Sequence, residues 1–213
     1  MSSSAGGLSV LDIATGLHEQ LFQTEESIFS ADWSPDGTRL AFALGSGFIC
    51  EYNFPTHERR PIRPDSSVST DSVYAGNAVR WSRDGSLAFV ENHHTYQTIS
   101  IIDADGTNRR VLTTSQDLQL FQMIHWYSRP LRGIEGVLFY QNTHPTAGSY
   151  FADASGSPVV RFPYRHGPHE AFSPDGEWVV NTDIDPVDSV GVLFVQHVDD
   201  LLGAARRQLT YWD

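Results

Sequence analysis

Asp32-Trp33-Ser34-Pro35-Asp36-Gly37, Arg80-Trp81-Ser82-Arg83-Asp84-Gly85 and Ala171-Phe172-Ser173-Pro174-Asp175-Gly176 are three copies of one box, aromatic-Ser-x-Asp-Gly. The aromatic positions 33, 81 and 172 are separated by 48 and 91 residues, so the second gap is about twice the first and a weaker copy is expected near 126. Trp126-Tyr127-Ser128-Arg129-Pro130 stands there. It lacks the Asp-Gly and runs on to Glu135-Gly136, which predicts a turn longer by several residues. A repeat of about 20 to 50 residues marks stacked supersecondary units. In the box, Pro fixes φ, Asp bonds its own backbone and Gly takes the positive φ that closes a hairpin. Trp33, Trp81, Trp126 and Phe172, just before the turn, are expected to fill the wedge between neighbouring units as core residues.

Working outward, each box is followed by a short apolar run: Arg39-Leu40-Ala41-Phe42, Ser86 to Val90, Val137 to Tyr140 and Glu177 to Val180. Further runs follow at Phe48 to Tyr52, Ile99 to Ile102, Tyr150 to Ala152 and Val192 to Val195. Last strands are read at Arg59 to Ile62, Arg109 to Leu112, Val159 to Phe162 and Arg206 to Leu209. No segment sustains a 3.6-residue period. Four short antiparallel strands in about 46 residues describe one propeller blade. The expected architecture is all-β, a partial β-propeller of about four and a half four-stranded blades. It forms a single domain or a segment of one over 1–213, with a half blade at 8–22 and blades at about 28–63, 78–113, 122–162 and 168–210. The half blade reads as third and fourth strands whose first two are missing, which leaves strand edges that attract a partner.

Composition narrows the function. With 26 acidic against 14 basic residues the net charge of −12 repels phosphate backbones, so nucleic acid is not expected as a partner. Every basic residue is Arg, which excludes P-loop, Schiff-base and Ser-Lys chemistry. Cys50 is the only cysteine, so neither an intrachain disulfide nor a Cys-rich zinc site can form. No Gly-x-Ser-x-Gly elbow occurs. No stretch reaches the roughly 18 apolar residues of a membrane span, and Met1 to Gly7 lacks the zones of a secretory signal. Localisation stays open.

The box, the Leu-Ala-Phe strand after it and the stretch Ile-Ile-Asp-Ala-Asp-Gly-Thr-Asn-Arg-Arg-Val-Leu-Thr at 101–113 resemble the TolB-like (WD40-like, PD40) β-propeller repeat. The resemblance is carried by residues 30–42, 79–113 and 170–180. It implies a propeller, usually of six or seven blades, that serves as a protein-docking platform, as in the Tol-Pal envelope system. Related blades cap the catalytic domain of prolyl-oligopeptidase-like peptidases, and a TolB-like propeller is the scaffold of oligogalacturonate lyase. The chain departs from the pattern in being too short for six blades and in carrying no counterpart of TolB's separate N-terminal domain.

Function is expected in loops on the rigid scaffold. His93, His94 and Tyr96, then His144, then Tyr164, Arg165, His166 and His169 fall in loops assigned to one face, together with the acidic loop that holds Asp183, Asp185 and Asp188. Imidazoles converging from adjacent blades could hold a transition metal, with Arg165 on an acidic substrate, as the lyase resemblance implies. The acidic loop offers hard oxygen ligands without the spacing of a calcium motif. Solvated loops are the preferred reading, so no metal, cofactor or catalytic residue is assigned. His125, on an inner strand, reads as a core or channel-lining residue. Arg59-Arg60, Arg109-Arg110 and Arg206-Arg207 recur at one repeat position and read as edge-strand charge. The expected function is a non-catalytic protein-interaction scaffold completed by self-association or by a longer chain; the alternative is a metal-dependent carbohydrate-active enzyme or ligand binder using the histidine-bearing face.

Overall fold

The box closes its hairpin by local hydrogen bonds. Asp36 Oδ1 accepts from Ser34 Oγ at 2.6 Å, from the Thr38 amide at 3.0 Å and from Thr38 Oγ1 at 2.8 Å, while the Gly37 amide donates to Ser34 O at 2.9 Å. The pattern returns at Asp84, which accepts from Ser82 Oγ and from the Ser86 amide at 3.0 Å, and at Asp175, which accepts from Ser173 Oγ at 2.5 Å and the Glu177 amide at 3.0 Å. Gly37, Gly85 and Gly176 sit at φ 69°, 90° and 73°, where a side chain is strained.

These turns join the first two strands of successive units in a computed structural model of the chain. It describes residues 6–46, 48–62, 74–93, 95–115, 121–129, 134–141, 148–156, 159–161, 170–173, 175–184, 191–200 and 207–209. One unit runs β3 (Ile28–Trp33), β4 (Arg39–Leu44), β5 (Ile49–Asn53), β6 (Glu58–Ile62). The next runs β7 (Tyr74–Trp81), β8 (Ser86–Asn92), β9 (Gln97–Asp103), β10 (Arg110–Thr114). The third runs β11 (Phe121–Arg129), β12 (Ile134–Gln141), β13 (Gly148–Asp153), β14 (Val160–Arg161). The fourth runs β15 (Glu170–Phe172), β16 (Trp178–Ile184), β17 (Gly191–His197), β18 (Arg207–Gln208). Each is a four-stranded antiparallel meander, and β1 (Gly6–Leu11) with β2 (His18–Thr24) forms a two-stranded sheet ahead of them. The helical content among the described residues is one 3₁₀ turn, Val198–Asp200.

The unit without Asp-Gly keeps its register. Trp126 pairs with Val137 as Trp33 pairs with Leu40 and Trp81 with Leu87. Its extra residues add the pairs Tyr127–Gly136, Ser128–Glu135 and Arg129–Ile134, so the lengthening expected in the turn is a longer hairpin. Tyr127 replaces the box serine. Its ring meets Phe151 edge-on at 5.8 Å and Phe172 at 4.8 Å, and its hydroxyl donates to Gly176 O of the next unit at 3.2 Å.

Packing between units explains why the second strands are apolar on both faces. Val79 and Trp81 of β7, with Leu87 and Phe89, pack on Ala41 and Ala43 of β4, Ile49 and Ile62. One unit on, Ile124, Val137 and Phe139 pack on Ala88, Val90, Ile99 and Ile101. Main-chain groups join as well: the Trp81 amide donates to Asp32 Oδ2 at 2.8 Å, and the Val79 amide donates to Ser30 Oγ at 3.3 Å. The face of the β3–β6 unit turned away from β7 is only partly covered. There Leu8, Leu21 and Phe22 of β1 and β2 pack on Phe42, Leu44, Cys50 and Tyr52.

Two of the recurring arginines have a role other than edge charge. Arg60 Nε donates to Glu51 Oε1 at 3.0 Å, and Arg39 Nη1 donates to Glu51 Oε2 at 3.2 Å. Arg109 donates through Nε to Glu91 Oε1 at 3.0 Å and through Nη2 to Glu91 Oε2 at 2.5 Å. Both glutamates are buried, at 2% and 1% exposure, so an ion pair is what makes each tolerable inside the sheet stack. Arg59 instead lies 5.1 Å from the Phe22 ring.

Candidate functional site

The box residues converge. Asp32, Trp33 and Pro35 from the first complete unit, Trp81, Ser82 and Arg83 from the second, Trp126 and Tyr127 from the third, and Phe172, Ser173 and Gly176 from the fourth line one cavity of about 430 Å³. A cavity that takes corresponding residues from four successive sheets places the innermost strands around a shared axis. Its wall mixes five aromatic rings with the polar groups of Asp32, Ser82, Arg83 and Ser173.

The aromatics are not equivalent in burial. Trp81 is 5% exposed, with Arg39 stacked over its ring at 4.7 Å, whereas Trp33 is 45% exposed and stacks on Phe54 at 4.8 Å. Trp126 and Phe172 are half-buried. The wedge role expected for all four therefore describes Trp81 and does not describe Trp33. The reason is positional: Trp81 is covered by β4 of the preceding unit, and Trp33 has only β1 and β2 before it. The Nε1 atoms of Trp81 and Trp126 and Nε2 of His125 are buried and have no hydrogen-bond partner among the described residues.

The residue before the aromatic is Asp32, Arg80 and His125 in successive units, and the Arg80 charge acts on both of the others. Burial pushes the Asp32 carboxyl up, against the Trp81 amide and the Arg80 charge that pull it down. Burial, then Arg80, holds His125 down at about 4, so it is neutral at neutral pH. The Asp36 carboxylate, bonded by Ser34 and Thr38, is lowered to about 2. Both folded values lie below the unfolded ones of 6.5 and 3.8, so each group stabilises the fold above its unfolded value and loses that contribution as pH falls to its folded one. Thermal melts from pH 7 to pH 2 are expected to show acid losses in two windows. His125→Phe should reduce the loss between about 6.5 and 4, to which the lowered His93 also contributes, and Asp36→Asn the loss between about 3.8 and 2, which Asp12, Asp84 and Asp105 share.

The His93 turn, between β8 and β9, lies at the opposite end of its sheet from the box turn between β7 and β8. His93 is half-buried, stacks on Tyr96 at 4.2 Å with 13° between the planes, and places Nε2 3.4 Å from Thr98 Oγ1. Burial lowers its basicity more than the nearby Glu91 raises it. Asp183 pairs with Val192 in the β16–β17 ladder. His94, His144, Tyr164, Arg165, His166, His169, Asp185 and Asp188 lie outside the described residues. Among the described residues no three His, Cys, Asp or Glu side chains gather as a metal would need, and no helix is long and apolar enough to cross a membrane. The cavity lies among the box residues, away from the loops expected to carry function. The missed signal was the repeat itself, since one aromatic per unit at one register position must meet its counterparts at the axis.

Radially placed four-stranded meanders around a common cavity define a β-propeller, here a partial one. Its fold is that of the TolB-like propellers. A TolB-type protein of Agrobacterium tumefaciens matches over 96% of this chain and 69% of its own, at 17% identity and TM-score 0.69. TolB of Acinetobacter baumannii matches over 96% and 48%, at 18% identity and TM-score 0.69. An oligogalacturonate lyase in complex with manganese matches over 96% and 58%, at 16% identity and TM-score 0.71. The chain thus spans from about half to about two thirds of the length of these proteins. No family model and no curated protein matches its sequence.

Proposed function

We propose that the chain is a non-catalytic protein-interaction scaffold whose two-stranded first unit is completed by self-association or by a longer chain. The observation that carries this is the two-stranded β1–β2 sheet: among the described residues every other sheet has four strands, and β1 is bonded on one side only, to β2. An unpaired strand offers a row of main-chain donors and acceptors that a second polypeptide can satisfy. The likeness to TolB propellers supports the reading at the level of fold. Sedimentation equilibrium tests it. Association above the 23.7 kDa of one chain, weakened by Ser9→Lys on the β1 edge, is the expected result. A 23.7 kDa monomer at every concentration would overturn self-association.

A further inference from the structure

We infer that the cavity lined by the box residues binds a small betaine, a ligand that joins a quaternary ammonium to a carboxylate. Three features of its wall select this class: aromatic rings from successive units, the Asp32 carboxyl and the Arg83 guanidinium. The site goes beyond the scaffold reading and draws nothing from the β1–β2 sheet.

The rings are held in place by the protein itself. Trp33 is stacked on Phe54 at 4.8 Å, Trp81 lies under the Arg39 guanidinium at 4.7 Å, and Tyr127 is held edge-on by Phe151 at 5.8 Å. Phe54, Arg39 and Phe151 stand outside the cavity wall, so the rings are supported from behind and an occupant need not order them. Aromatic faces are electronegative and attract a cation, most strongly one removed from water. The polar groups between the rings decide which cation. Ser82 Oγ donates to Asp84 and accepts from the Ser86 amide, Ser173 Oγ donates to Asp175 and accepts from the Trp178 amide, and the Tyr127 hydroxyl donates to Gly176 O. With those hydroxyls engaged, a primary ammonium would be left with unsatisfied N–H groups. A quaternary ammonium has none to satisfy.

Asp32 supplies the counter-charge. Its Oδ2 accepts from the Trp81 amide at 2.8 Å, yet burial still pushes the carboxyl up, so its ionised form lacks compensation that a cation in the cavity would provide. Arg83 supplies the opposite pole. Its position in the box is Pro35 in the first complete unit and Pro174 in the fourth, so the turn does not require a cation there. The Arg83 side chain is exposed, lines the cavity and makes no hydrogen bond or ion pair among the described residues. A guanidinium so placed suits a ligand carboxylate. One carboxylate and one guanidinium on an aromatic wall match a zwitterion, whereas a simple anion would meet Asp32 and a simple cation would meet Arg83.

The test is an NMR titration of the full chain with glycine betaine, choline, glycine and tert-butylacetate, the isostere of glycine betaine with an uncharged head. Glycine betaine is expected to shift the indole N–H signals of Trp81 and Trp126, assigned with Trp81→Phe and Trp126→Phe, and its N-methyl protons should move upfield in the ring currents. Both tert-butylacetate and glycine should bind at least about tenfold more weakly, the first for want of a cation and the second because of its N–H groups. Arg83→Gln should weaken glycine betaine several-fold and leave choline no weaker. Asp32→Asn, which keeps an acceptor for the Trp81 amide, should weaken both. Equal affinities for glycine betaine and tert-butylacetate in the unaltered chain would overturn the inference, because the cavity would then select apolar bulk alone. So would an absence of binding, or glycine betaine binding that leaves both indole signals unmoved. Choline losing as much as glycine betaine on Arg83→Gln would overturn the betaine assignment.

Discussion

Arg109→Ala is expected to cost about 3 to 5 kcal/mol of stability, the range for removing one partner of a buried ion pair. Glu91 is 1% exposed and receives two guanidinium bonds from Arg109, its other bonds among the described residues coming from the hydroxyls of Thr98 and Ser100. Once the cation is gone, those hydroxyls face a desolvated carboxylate alone. Glu51 makes the internal control, because it holds two arginines, and Arg60 is the more exposed of them at 51%. Arg60→Ala leaves the Arg39 bond in place and should cost much less. Urea melts of the two variants check the order. Adding Glu91→Gln to Arg109→Ala should recover part of the loss, since it removes the stranded charge; no recovery would mean that the guanidinium matters for packing instead.

Gly136→Ala is expected to cost about 3 kcal/mol, at the upper end of overpacking effects. A Cβ at Gly136 would come within 2.6 Å of Phe151 Cζ and 2.7 Å of Cε2, and closer still to the main-chain oxygen of Ala152. The backbone oxygen cannot rotate away, and the Phe151 ring is wedged edge-on against Tyr127. Residues 136 and 153 are ladder partners, so relief would have to come from separating β12 and β13. Hydrogen exchange should therefore accelerate first at Val137 and Ala152. Gly191→Ala, where a Cβ meets nothing within 4 Å, is the comparison expected to change little.

The fold was legible because its turns are local. Asp36, Asp84 and Asp175 bond residues within two positions of themselves, so the chemistry that closes each hairpin is written within a few consecutive residues. The 48-residue offset then fixes which strands are alike. Burial was less legible, since it depends on what stands alongside. Trp33 and Trp81 share the same local sequence and differ in exposure because one has a complete unit before it. The partners of Glu51 and Glu91 were hidden for a similar reason. Arg60 lies opposite Glu51 in the β5–β6 ladder, but Arg109, just before β10, reaches Glu91 of β8 from 18 positions away with no ladder pairing between them. A doubled arginine in sequence looks like surface charge until the carboxylate beneath it is seen.

The Asp32 and Ser30 bonds to the amides of β7 have a mechanical meaning. They stitch one sheet to its neighbour through two short side chains on a single strand, while the sheets themselves are laced by full ladders. Pulled apart or heated, such an array should part along its seams before any panel frays, and each released panel would carry away its own intact hairpins.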